Sequence, residues 1–388
     1  METTIPERTT AKLGVVESDL RAGDHTLIQA SEGSLVLVKG RARCEGSVEV
    51  DCDFECESLE SRDGIVRVNG NLTVHEDIDV EEALYTRGNV KAHSVEVGGR
   101  LSVGISLETR TADVGGSLEV QGNVEADSID VGGSFEVLGD VKLKDLDVGG
   151  SADVGGGEVT GRIEAGGRFT SRKELKFDRI ESGGTVELTG GKGRTIEVGG
   201  RLDSHGDLSC EEIEVGGLAS VEGNLSGKQA EVGGRISVSG DLALTVRLEI
   251  GGVAEIGGYL SGADVEVGGS LRAAKGVLSG TAEIGGRVET KQGLKAKRIE
   301  IGKGGSCIGD LVGGTVYVGK RAQVQDVYCS ELVVEGGSKL GRVFAESVDI
   351  GDNCVVGELV YTRELKEGER VVHLKPPQKV ESLPPFPL

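Results

Sequence analysis

Small and apolar residues recur along most of this chain in pairs two residues apart, three such pairs to each stretch of about 17 residues. In the stretch opened by Gly115 they are Leu118 and Val120, Val124 and Ala126, and Ile129 and Val131. Two-residue spacing puts both members of a pair on one face of a β-strand, so each stretch predicts three short strands. Glycine pairs mark the period. They begin at 98, 115, 132, 149, 166 and 183, at 199, 216 and 233, and at 251, 268 and 285. Gly302-Lys303, Gly319-Lys320 and Gly336-Gly337 keep the step, and Gly70-Asn71-Leu72 and Gly88-Asn89-Val90 carry the frame upstream.

With the first glycine as position 0, the unit reads GG-[RS]-L-x-V-x-G-[ND]-[LV]-x-A-x-x-[IV]-E-V, and positions 3, 5, 9, 11, 14 and 16 are apolar or small. Corners are expected at the glycine pair, at G-[ND] and around positions 12–13, because Gly, Asn and Asp tolerate the positive φ that sharp corners use. Gly216 is expected to need such a φ. A helical reading fails, since each of the many glycines costs a helix about 0.8–1.0 kcal/mol relative to Ala. Coils of three strands stacked on like coils make an all-β, single-stranded parallel β-helix, a solenoid of about 21 coils. The domain reading is a polar N-terminal tail over 1–14, one continuous β-helix over 15–361, and a C-terminal segment with a Pro-rich tail over 362–388.

Composition agrees with a narrow, regular interior. The 388 residues include 65 Gly and no Trp, aromatics are 3%, and five of the six Pro follow residue 375. The net charge of −22 disfavours nucleic acid, which needs a basic surface to neutralise phosphate. Seven scattered Cys and a polar start, METTIPERTT, point to a reducing, cytoplasmic setting. No apolar run reaches the 18 residues of a membrane-spanning helix.

The G-[ND]-[LV] and [IV]-E-V-G-G repeats, together with VEGGSKLGRVFAESVDIGDNCVVGEL at Val334–Leu359, resemble the bactofilins, polymer-forming cytoskeletal proteins of bacteria and archaea. The resemblance covers most of the chain. It implies a right-handed β-helix, the hand also preferred by parallel crossovers, and end-to-end assembly into non-polar filaments without nucleotide. This chain has many more coils than a compact bactofilin and no apolar N-terminal targeting motif. Contacts with membranes or other proteins are left to the tails.

Candidate chemistry is sparse. His75 and His93 fall one coil apart, but a metal site needs three or four converging ligands, so no metal is expected. Cys44, Cys56 and Cys329 fall at inward position 11, and Cys307 and Cys354 also fall inward, as small core residues. GGKGRT at 190–195 lacks the spacing of a phosphate-binding loop, and no cofactor is expected. The most regular polar feature is an outward acid at position 15: Glu96, Asp113, Asp130, Asp147, Glu164 and Glu181, then Glu197 to Glu300.

The expected function is therefore structural rather than enzymatic. A β-helix hides its strand edges except at its terminal coils, and an uncapped coil is a template for another. Leu13, Val15 and Val16 at one end and Val356, Leu359 and Tyr361 at the other are the expected polymerisation residues, and the partner is a second copy of the chain. The alternatives are a β-helical acyltransferase or polysaccharide-active enzyme, whose loops and catalytic residues are not evident, and a non-polymerising rod or adhesin.

Overall fold

The computed structural model describes residues 2–385 and contains no helix among them. Strands pair in parallel with strands about 17 residues away, giving a β-solenoid of about 22 turns. The chain divides into two compact units, Met1–Gly193 and Arg194–Leu388, each built of such coils.

In the first unit the coil opened by Gly115 consists of strands Ser117–Val120 and Val124–Val131, the second continuing round a corner to serve two faces. Position 3 stacks on position 3 through Leu84, Leu101, Leu118, Phe135, Ala152, Phe169 and Val186. Ala152 between two fully buried phenylalanines lets large rings fill a bore whose coils are only about 4.8 Å apart. The second unit does the same with Leu202, Ala219, Ile236, Ala254 and Leu271.

The glycine corners have a different cause from the one the sequence suggests. Neither Gly132 nor Gly216 adopts a left-handed φ. A Cβ on Gly132 would lie 2.3 Å from the Gly115 carbonyl oxygen, and one on Gly216 would lie 2.4 Å from that of Gly199. The pair is glycine because the backbones of successive coils touch there. The G-[ND] corner also differs. Asp207 Oδ1 accepts the Asn224 N–H at 2.7 Å, Asn224 Oδ1 accepts the Asp241 N–H at 2.9 Å, and Asp241 Oδ1 accepts the Tyr259 N–H at 2.7 Å. Asp53, Asn71 and Asn89 repeat the arrangement in the first unit. Each side chain thus satisfies the N–H that the next coil leaves unpaired at its bend.

The segment expected as an N-terminal tail is the first coil. Thr3–Ile5 pairs with Leu20–Ala22, and Thr10–Leu13 pairs with Leu27–Ala30. Its short, threonine-rich strands around Pro6 carry too little apolar periodicity to stand out in the sequence. The C-terminal boundary also moves. Strand Val355–Glu367 runs past 361, and Val372–His373 and Gln378–Lys379 stack on it in register. Proline cannot donate to a ladder, but Pro376 and Pro377 lie between these two-residue strands, where no ladder bond is required.

Replacing Gly216 by Ala or by Asn is expected to destabilise the fold by about 1–3 kcal/mol, and by similar amounts, because either Cβ meets the same carbonyl. Thermal or denaturant unfolding of the two variants checks this. If Asn, which tolerates a left-handed φ, is accepted where Ala is not, the corner depends on φ instead.

Candidate functional site: the terminal coils

The first coil places Leu13, Val15 and Val16 together, as expected. Val15 and Val16 pair with Leu37 and Val38. Adjacent strand residues face opposite ways, so Val16 is 6% exposed and lies in the core, whereas Val15 is 58% exposed and points outward. Ile5, 4% exposed, completes the inner face with half-buried Ala11 and Leu13. Ile5 was missed because it was assigned to a tail. Among the described residues, the three strands of this coil pair on one side only. The Thr9 carbonyl accepts the Leu27 N–H and the Leu13 carbonyl accepts the Ser31 N–H. By the alternation of a parallel ladder, the peptide groups of Thr10 and Lys12 then point away from the second coil.

The last coil differs from the expectation. Val356 and Leu359 are fully buried and Tyr361 is half-buried. Val356 pairs with His373, and Tyr361 with Lys379. The Leu374 N–H donates to the Val356 carbonyl at 2.9 Å, and the Val380 N–H to the Tyr361 carbonyl at 2.9 Å. Val356, Leu359 and Tyr361 therefore lie inside the stack and offer no open edge, because the Pro-rich segment covers them.

Two core ladders of the second unit end in a polar pair. Val318, Val334 and Ile350 stack up to Glu367. Val324, Leu340 and Val356 stack up to His373. The His373 side chain is 14% exposed, and its Nε2 is hydrogen-bonded to Glu367. Its Nδ1 is buried without a partner among the described residues. Nearby charges are also matched within the chain: Arg363 with Glu346 at 3.0 Å, Lys366 with Glu364 at 3.3 Å and Lys375 with Glu358 at 3.1 Å.

The acidic edge is a true stack. Glu96, Asp113, Asp130, Asp147, Glu164 and Glu181 are successive ladder partners in the first unit. In the second unit Glu214, Glu231, Glu249, Glu266, Glu283 and Glu300 are. Arg162 bridges Glu164 and Glu181, and Arg247 bridges Glu249 and Glu266. Around Asp130 the neighbouring position 13 carries Thr111, Ser128 and Asp145 rather than a base. Partial desolvation, with Asp147 and Asp113 as flanking charges, raises the Asp130 carboxyl above its usual range.

The other singled-out residues stay apart. His75 Nε2 meets Glu55 at 2.9 Å, and the His93 backbone N–H donates to the Glu76 carbonyl at 2.9 Å. Among the described residues no three His, Cys, Asp or Glu side chains converge as a metal site. Cys56, Cys307, Cys329 and Cys354 are buried as expected. Cys44 is buried too, but it stacks between Ala22 and Ser61, at position 16 rather than 11. Burial pushes the Cys44, Cys210 and Cys307 thiols up to about 12. Lys192 of GGKGRT lies within strand Gly191–Val198 rather than in a loop. A concavity of about 660 Å³ in the first unit is lined by Arg21, Arg43, Arg62, Glu45 and Glu60. Arg43 and Arg62 there pair with Glu60 at 3.1 and 3.2 Å. No described helix is long and apolar enough to cross a membrane. No protein family, curated protein or solved structure matches this chain.

Asp130→Asn is expected to stabilise the protein at pH 7 by about 0.5 kcal/mol, after allowance for solvent screening. The folded state holds the Asp130 proton more tightly than the unfolded chain does. Stability is therefore lost as pH rises through the raised value. The advantage of the variant should vanish at pH values below the ordinary aspartate pKa, where both states are protonated. Thermal unfolding of both proteins between pH 3 and 7 measures it.

Proposed function

We propose that the protein is a structural, scaffold-type protein that self-associates end to end through a terminal coil without nucleotide, in the manner of the cytoskeletal polymers its repeat resembles. The observation that carries this reading is the first coil, three strands that, among the described residues, are paired along one edge only. An unpaired edge is a template for a further strand, and this one is not covered by a helix, although its strands are short and Pro6 lies between two of them. The free thiols favour a reducing, cytoplasmic setting.

The interaction is expected to be weak. Ile5 and Val16 are already buried within their own chain, so stacking gains little from burying them further. The main gain is a few edge hydrogen bonds, each about 0.5–1.5 kcal/mol net, against an association cost of about 4–15 kcal/mol. The chain's charge of −22 adds repulsion that salt screens over about 8 Å at physiological ionic strength.

Association should therefore grow with protein concentration and from very low to moderate salt, and neither ATP nor GTP should change it. Sedimentation velocity and negative-stain electron microscopy across those conditions test this. A chain that stays monomeric throughout, or that assembles only with nucleotide, overturns the proposal.

A further inference from the structure

On the outside of the second unit one ladder changes character. Position 10 lies between the inward positions 9 and 11 and faces away from the bore. Ser261, Val277 and Lys295 are successive partners there, and all three are exposed. The column continues through Val312, Tyr328, Phe344 and Val360, and here it is apolar. The Tyr328 and Phe344 rings stack with centroids 5.0 Å apart and planes 5° from parallel. Phe344 is half-buried, Val312 and Val360 are buried, and Tyr328 is only 8% exposed. Val327 and Cys329, on either side of Tyr328, fill the bore, so the tyrosine is buried on the outer face. Stacking shields a side chain from above and below but leaves its outer side open, as Val277 at 44% exposure shows. The four covered residues need a further segment against them.

The C-terminal segment passes beside them. Gln378 pairs with Val360 and ends the column, and Lys379 lies over the Tyr361 ring at 5.9 Å. The Val380 N–H donates to the Tyr361 carbonyl, and beyond it Glu381–Pro385 share one concavity with Thr362, Arg363 and Glu346. Thr362 and Glu346 stand two residues past Val360 and Phe344 in their strands, at the edge of the same outer face. The segment therefore leaves the last coil and returns along the side of the stack, from the coil of Val360 to that of Phe344. From Ser382 it reads SLPPFPL. Phe386, Pro387 and Leu388 lie outside the described residues. As an extended proline-type chain they add about 9 Å, roughly two coil spacings, which is the distance back to Tyr328 and Val312. Proline-rich segments dock on aromatic-lined grooves, because their preformed extended helix loses little entropy on binding.

We infer that the Val312–Val360 column is a docking groove for a proline-rich peptide, and that its occupant is this chain's own C-terminal segment, latched over the stacked rings. The leucines, phenylalanine and prolines of SLPPFPL match two aliphatic and two aromatic side chains, and Lys379 and Val380 set where the segment turns back. The groove lies on the side of the coils rather than at their edge, so the latch is independent of end-to-end association.

Nitration by tetranitromethane, read residue by residue by mass spectrometry on the full-length chain, reports whether a tyrosine is open to solvent. Tyr328 should react slowly and the exposed Tyr259 fast. Ending the chain at Glu381 should speed the Tyr328 reaction about tenfold or more and leave Tyr259 unchanged, and added SLPPFPL peptide should slow it again. Full-length Phe386→Asp, which keeps every described residue, should open Tyr328 in the same way with unchanged thermal unfolding. A Tyr328 that stays protected in both variants is shielded by its own column, which overturns the latch. Opening by truncation alone, without rescue by the peptide, is loss of the last coil and overturns it as well, as does a wild-type Tyr328 as reactive as Tyr259. Wild-type protection that falls away on dilution assigns the groove to the segment of a second copy and overturns the intramolecular latch.

Discussion

At the glycine corners the carbonyl oxygen of one coil occupies the space that the next coil's Cβ would fill, 2.2 Å away at Gly115 and 2.4 Å at Gly149. Backbone contact of this kind recurs at the glycine pairs, and it is kept where the step changes: a Cβ on Gly251, 18 residues after Gly233, would lie 2.2 Å from the Gly233 carbonyl oxygen. Coils that gain or lose a residue do so elsewhere, as in the register shift between Gly227 and Gln229. With the corner anchored, position 3 meets position 3 in the next coil. Core packing is then decided within columns, which is why Ala152 sits between Phe135 and Phe169.

Stacking like on like has opposite consequences for different polar groups. Asx side chains gain from it, since each carries an acceptor beside a backbone donor and can hand the pattern on from coil to coil. Carboxylates at position 15 lose from it, since equal charges about 4.8 Å apart repel. Where Arg162 or Arg247 joins two acids of the column, the repulsion becomes an ion pair across coils. Around Asp130 no base intervenes, and partial desolvation, with the flanking Asp147 and Asp113 charges adding to it, raises the proton affinity of the carboxyl. A charged outer column also disfavours packing of the solenoid face on a neighbour's face.

Much of this was legible in the sequence, for a physical reason. Period and inward positions come from local alternation, and local alternation survives in a single chain read end to end. Contacts between coils do not. The glycine pair reads as a flexible corner until the carbonyl opposite Gly132 is placed. G-[ND] reads as a turn until Asp207 is set beside Asn224. The six residues chosen as end contacts divide in the same way. Leu13, Val15 and Val16 lie in the first coil. Val356, Leu359 and Tyr361 lie beneath a further segment that is polar and Pro-rich, a composition that ordinarily marks a disordered tail.

The covering segment also shows how little is needed to end a solenoid of this bore. A wide core requires an amphipathic helix or a long loop to shield it. Here two of the inner columns each end in a single polar residue. Glu367 ends one and His373 ends another, and the two are hydrogen-bonded through His373 Nε2 in place of the next apolar rung. The strands that bring His373 into place need only the ladder bonds of two residues each, with prolines free to form the bend between them. The same narrowness acts in the opposite direction at the first coil. Ile5 and Val16 shield themselves, so that coil can remain uncapped in water without exposing a large apolar disc. What it leaves open, among the described residues, is backbone, whose hydrogen bonds are each worth only about 0.5–1.5 kcal/mol net.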